Sequence, residues 1–82
     1  MEILSNLEIA AIKERFEQAS PGPWKAFIEG RDHFGGSSFV GTGNHDIYLA
    51  GATGEDYDFI AHARQDIPRL IAEIERLKSA HV

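Results

Sequence analysis

The chain has 82 residues, no cysteine, and 13 acidic against 8 basic side chains, for a formal charge of −5. That is one domain of a size that buries only about 60–65% of the surface its unfolded form exposes, with neither disulfides nor a cysteine-based zinc site to reinforce it. The negative balance argues against a generic grip on nucleic acid or on an anionic membrane, and leaves association with a second copy as the cheapest reinforcement.

Met1-Glu2-Ile3-Leu4 lacks the basic start of a secretory signal, and no apolar run approaches the ~20 residues that span a bilayer, so a cytoplasmic protein is expected. Ser5-Asn6-Leu7-Glu8 fits a capping box, in which the serine hydroxyl covers an orphan amide and the glutamate reaches back. A first helix starts there. Ile9, Ile12, Phe16 and Ala19 recur at helical spacing on its packed face, and Pro21-Gly22-Pro23 ends it.

The apolar period then changes to two. Trp24, Ala26 and Ile28 share one side of a strand over 24–29, with Lys25, Phe27 and Glu29 on the other. Residues 30–37 read as a loop, 38–41 as a short strand, and Thr42-Gly43-Asn44 as a tight turn into a third strand over 45–50. Ile47 and Leu49 share one face of that strand and Tyr48 the other. Both faces of the resulting antiparallel sheet carry apolar groups, so something is expected to cover the second face.

Thr53 caps a second helix with Glu55 and Asp56 in its first turn, and Phe59, Ile60 and Ala63 are expected to pack inward. Proline lacks an amide donor, so Asp66-Ile67-Pro68 predicts a break at Asp66 and a third helix carrying Ile67, Leu70, Ile71, Ile74 and Leu77. Arg69 with Glu73, and Glu73 with Arg76, fall at helix-surface pair spacing. The expected fold is a small single α+β domain over 1–82 in the order αβββαα, a three-stranded antiparallel sheet packed by helices. No linker or internal repeat interrupts it.

Asp58 and His62, four apart on a helix, could act as a base with its orienting acid or share a metal, with His45 as a further ligand. A solvated helix pair is the plainer reading. Asp32-His33 and His45-Asp46 fall in a loop and at a strand start, where neighbouring side chains diverge and cannot clasp one ion. Gly41-Thr42-Gly43 lacks the third glycine and the following helix of a dinucleotide fingerprint, and reads as a hairpin turn. No catalytic set, metal site or cofactor is assigned.

Arg31, Arg64, Arg69, Lys25 and His33 could grip an anion, and Trp24, Phe27, Phe34 and Tyr48 offer stacking surfaces. Guanidinium forks suit phosphate and aromatics pack on bases, so the mixture suits a nucleotide-like ligand. The structural alternatives are an Arg64 paired with Asp66 or Asp56 and a Trp24 that plugs the core. The acids at the starts of the second and third helices would repel a phosphate, which places any anion near Arg31 or at a subunit boundary.

Two segments, Ala19-Ser20-Pro21-Gly22-Pro23-Trp24 and Asp58-Phe59-Ile60-Ala61-His62-Ala63-Arg64-Gln65-Asp66-Ile67-Pro68-Arg69-Leu70, bracket nearly the whole chain. Together they resemble a group of short, largely uncharacterised proteins of bacteria and their phages, which carry a Pro-Gly-Pro-Trp turn and a Phe-Ile-Ala-x-Ala-Arg-x-Asp-Ile/Val-Pro-x-Leu signature. The resemblance implies a self-contained domain of the kind mobile elements carry, and directs attention to Trp24, Arg64 and Asp66. The functional expectation is a non-enzymatic, homo-oligomeric binding module for a small anionic, nucleotide-like ligand or a protein partner, with Trp24, Arg31, Tyr48, Arg64 and Asp66 as contacts. The alternatives are a metal-assisted hydrolase using His62, Asp58 and His45, and a structural assembly subunit.

Overall fold

The computed structural model describes residues 4–80. Helix α1 (Asn6–Gln18) is followed by strands β1 (Lys25–Phe27), β2 (Phe39–Gly41) and β3 (Asp46–Ile47), and then by helix α2 (Gly54–Ser79). The strands form one antiparallel sheet in the order β1-β2-β3. This is the expected α+β domain with one helix fewer.

Local signals start both helices. In each, a hydroxyl accepts the third amide of the helix while the carboxylate there accepts the cap amide: Ser5 with Glu8 at 3.1 and 3.0 Å, and Thr53 with Asp56 at 3.1 and 3.0 Å. The Ser5 backbone and side-chain bonds hold the Glu8 carboxyl below its usual pKa.

The break expected at Asp66 does not occur. α2 runs for 26 residues through Pro68, and Asp66 is an interior position rather than a second cap. A proline inside a helix costs about 3 kcal/mol, and packing on both sides of it outweighs that cost. N-terminal to Pro68, Tyr57 and Ala61 are buried with Ala26 and Val40 in the core; C-terminal to it, Ile71 is buried. Breaking the helix at Asp66 would separate these two anchors.

The phase of the buried face also differs from the expected one. Tyr57 and Ala61 face the sheet and Ile60 packs against them as expected, whereas Phe59 is 74% exposed and Ala63 is half-buried outside that cluster. Of the apolar series 67, 70, 71, 74 and 77, only Ile71 is buried, and it contributes to the α1 side of the helix rather than to the sheet. α1 is tied to this half of α2 by Lys13 with Glu75 at 3.4 Å and by Lys78 Nζ donating to Asn6 Oδ1 at 2.6 Å.

The strands are shorter than expected because side chains take over their backbone groups. Gln65 accepts from the Trp24 amide at 2.9 Å and donates to the Trp24 carbonyl at 3.1 Å, so β1 starts one residue later. Asp32 accepts from the Ile28 amide at 2.8 Å, which ends it. Beyond β3, the buried Tyr57 hydroxyl accepts from the Leu49 amide and donates to its carbonyl, at 3.1 and 3.0 Å.

The β2–β3 turn is closed by the Thr42 hydroxyl, which accepts from the His45 amide at 3.1 Å and donates to its carbonyl at 3.2 Å. Gly43 supplies the positive φ of 95° that this turn requires.

Cross-strand register gives the two sheet faces opposite character. Ala26 pairs with Val40 and Val40 with Ile47, and this inner face lies under α2, where Val40 is fully buried. Phe27 pairs with Phe39 and Lys25 with Gly41 on the outer face. The expected cover over that second face is not provided by any described segment.

Candidate functional site

The outer sheet face is an aromatic array assembled from two strands, the residue that follows the third, and a loop. The Phe27 and Phe39 rings stack at 4.9 Å between centroids with 20° between planes. Tyr48, just beyond β3, and His33, from the β1–β2 loop, each lie 5.7 Å from Phe39 in tilted arrangements. Lys25 places its ammonium 5.2 Å from the centre of Phe27. Phe39 is therefore the hub of the array.

Gly41 lets the rings lie flat. A Cβ built there would sit 3.0 Å from Phe27 Cε2, so the ring occupies the space that a side chain would fill. Beside it, the rings of Phe27 and Phe39, Lys25 and the Gly43–Asp46 stretch of the hairpin line an open hollow of 430 Å³. Tyr48 is 61% exposed next to the stack. The hollow thus combines aromatic walls from Phe27 and Phe39 with the polar hairpin residues Asn44, His45 and Asp46.

The loop carrying His33 is built rather than slack. The Arg31 and Asp32 amides donate to the Ile28 carbonyl at 3.0 and 2.8 Å, the Gly30 amide to the His33 carbonyl at 2.8 Å, and the Glu29 amide to Ser38 Oγ at 3.0 Å. His33 Nδ1 bonds to the Gly35 carbonyl at 3.0 Å, and because a carbonyl only accepts, this nitrogen carries the proton. Nε2 is then a bare acceptor, buried without a partner beside Phe39.

Arg31, expected to hold an anion, is committed elsewhere. Its fork donates to both Asp58 oxygens at 2.8 and 3.0 Å, and its Nε donates to Asp32 at 3.0 Å, tying the loop to α2. The hydrogen bond to Asp58, then that to Asp32, raises the Arg31 pKa. The same bonds hold both carboxyls below their usual range, with the Ile28 amide adding to the effect on Asp32.

A carboxylate depressed in the folded state contributes stability above its unfolded pKa of about 3.9, and that contribution is lost as pH falls through the lower folded value. Arg31→Gln is accordingly expected to lower the melting temperature at pH 7 and to match wild type more closely near pH 3. A melting-temperature difference that stayed constant between these pH values would count against the network.

The Asp58–His62 pair does not form the acid–base unit that its spacing would allow. The Asp58 carboxylate is held by Arg31, and His62 Nδ1 donates to the Asp58 backbone carbonyl at 2.8 Å. Among the described residues, no three His, Cys, Asp or Glu side chains gather as a metal site would require.

The two segments of the sequence resemblance meet in space. The Ser20 carbonyl accepts from both Trp24 Nε1 at 3.1 Å and Arg64 Nε at 3.0 Å, and the Arg64 guanidinium lies 6.0 Å from the centre of the Phe16 ring. Gln65 clamps the Trp24 backbone, and Gly22 fits against Gln65 and Arg64. Trp24 and Arg64 thus latch the Pro-Gly-Pro-Trp turn onto α2, and Arg64 pairs with neither Asp66 nor Asp56.

Asp66 is two residues from Arg64 in the same helix, so the two side chains diverge. It lines a separate hollow with Arg69, Leu70 and Glu73. The five expected contact residues are thus split: Trp24 with Arg64 at the latch, Arg31 in the loop anchor, Tyr48 on the aromatic face and Asp66 on the far side of α2. The sequence reading missed Phe39; its two-residue offset from Gly41 and its opposition to the inward Val40 are the signals that place it on the Phe27 face. No family model, curated protein or solved structure matches the chain.

Proposed function

We propose that the chain is a non-enzymatic binding module that holds a planar, anionic ring compound of the nucleotide type on the open face of its sheet. The supporting observation is the stack of Phe27 on Phe39 with Tyr48 and His33 around it, left uncovered by the helices. Base-on-aromatic stacking is worth roughly 1–3 kcal/mol per base. The Lys25 ammonium beside Phe27 meets the ligand's negative charge.

Two further features favour this reading over the others. With a net charge of −5 the chain suits a single nucleotide-like unit better than a polyanion, whose every phosphate would meet the repulsion. The hydrolase reading loses Asp58 to Arg31, whereas stacking makes no demand on that carboxylate.

Isothermal titration against purine and pyrimidine mononucleotides tests the proposal. Binding in the micromolar to millimolar range is expected, with Tyr48→Ala weakening it roughly 5- to 100-fold while the melting temperature stays nearly unchanged. Absence of heat with every nucleotide, or a Tyr48→Ala protein that binds as well as wild type, would reject the small-ring reading and leave a protein partner as the occupant of this face.

A further inference from the structure

The cross-strand register lays two unlike rows side by side on the outer face of the sheet. Phe27 pairs with Phe39, whose ring meets Tyr48, and this row is aromatic. The adjoining row is Lys25, Gly41 and Asp46, a base and an acid separated by a residue without a side chain. Neighbouring strands lie about 4.8 Å apart, so the backbones of Lys25 and Asp46 stand roughly 10 Å apart across Gly41. Both residues line the 430 Å³ hollow beside the Phe27 and Phe39 rings, which gives it opposite charges on its two sides.

Among the described residues, the ion pairs are those of Lys13, Arg31 and Arg76, and none includes Lys25 or Asp46. The Lys25 charge reaches Asp32, but that carboxylate takes its hydrogen bonds from Arg31 and the Ile28 amide. Asp46 is exposed at the start of β3.

The two sides of the hollow suit different parts of one ligand. An ammonium attracts a phosphate and a carboxylate repels it, so a mononucleotide here lies with its phosphate toward Lys25 and its base toward Asp46. A carboxylate only accepts hydrogen bonds, and its two oxygens lie side by side. Guanine presents two adjacent donors on its pairing edge, N1–H and the exocyclic N2 amine. Adenine and cytosine each set an acceptor nitrogen beside their amine, and uracil flanks a single N–H with two carbonyls. Each of these edges turns at least one lone pair toward a carboxylate, which rejects it.

Resting on the reading of this face as a nucleotide site, we propose that Asp46 makes the site selective for guanine, its carboxylate accepting from N1–H and the N2 amine of a mononucleotide whose phosphate faces Lys25.

Isothermal titration of the full chain with guanosine, inosine and adenosine monophosphates (GMP, IMP and AMP) tests this. IMP keeps N1–H and lacks the N2 amine, so the expected order of affinity is GMP, IMP, AMP. GMP is expected to exceed AMP roughly 5- to 150-fold, the discrimination one bidentate base contact provides. Asp46→Asn is expected to keep the melting temperature and to bring GMP and AMP to comparable affinity, because an amide pairs with adenine as a carboxylate does not. Lys25→Met is expected to weaken both nucleotides by the same factor and leave their ratio intact.

AMP binding the wild-type chain as tightly as GMP would overturn guanine selection while leaving a ring-binding surface in place. So would an Asp46→Asn protein that keeps the wild-type ratio, or a Lys25→Met protein that loses it. No binding by any of the three nucleotides would remove the nucleotide reading of this face, and guanine selection with it.

Discussion

Pro68→Ala is expected to raise the melting temperature by roughly 5–15 °C. Proline in a helix interior is about 3 kcal/mol less favourable than alanine, because its missing N–H leaves the carbonyl four residues back without a bond and its ring crowds that turn. The substitution gives up the restriction proline places on the unfolded chain, worth about 0.4–1 kcal/mol, and some contact made by a half-buried ring. The remaining gain of about 1–2 kcal/mol sets the expected shift at 4–8 °C per kcal/mol for a domain of this size. Thermal unfolding followed by circular dichroism measures it. An unchanged or lowered melting temperature would mean that Pro68 occupies the first turn of a separate helix, where proline is well tolerated.

Gln65→Leu is expected to act in the opposite direction, lowering stability by roughly 2–4 kcal/mol. The side chain serves three backbone groups at once: the Trp24 amide at 2.9 Å, the Trp24 carbonyl at 3.1 Å and the Ala61 carbonyl at 2.9 Å. Leucine keeps the volume and leaves part-buried polar groups unpaired, each costing about 1–3 kcal/mol where water cannot replace the bond. Against the roughly 4–12 kcal/mol available to a chain of this length, that is a large share. Gln65→Glu retains the acceptor for the Trp24 amide and loses the donor, so an intermediate melting temperature is expected. If Gln65→Leu melted with wild type, Trp24 would be held by packing alone.

Both positions lie where sequence reading stops, beyond the reach of local signals. The Ser5 capping box and the Thr53 cap are local signals and the structure forms both, with Asp56 completing a second box that the sequence reading does not name. The alternation of Lys25, Ala26 and Phe27 assigns faces without knowledge of the partner strand, and the register bears it out. Pro68 misleads because its local preference is a helix start, while the packing that overrides it comes from β1, β2 and α1. The inward face of α2 is legible only in part, through Ile60, for a related reason. Phe59 and Ala63 are as apolar as Tyr57 and Ala61, and the tertiary packing around Tyr57, with its bonds to Leu49, sets which of them face the sheet.

The candidate site divides in the same way. Tyr48 and Phe27 are readable as stacking residues from their alternation, yet Phe39 becomes the hub only through its pairing with Phe27 and its proximity to Tyr48 and His33. Arg31 and Arg64 carry the charge that an anion site needs, and nothing nearby in sequence shows that Asp58 and the Ser20 carbonyl, 27 and 44 residues away, already take their donors. Polar side chains are legible by type, whereas their partners are set by the fold.

Backbone amide shifts of isotopically labelled protein, titrated with adenosine and guanosine monophosphates, locate the recognition surface directly. Perturbations concentrated on β1, β2, Tyr48 and the 42–45 turn are expected, with α1 and the C-terminal half of α2 unaffected. Perturbations confined to α2, or none at millimolar nucleotide, would contradict a ring-binding surface on the open face of the sheet.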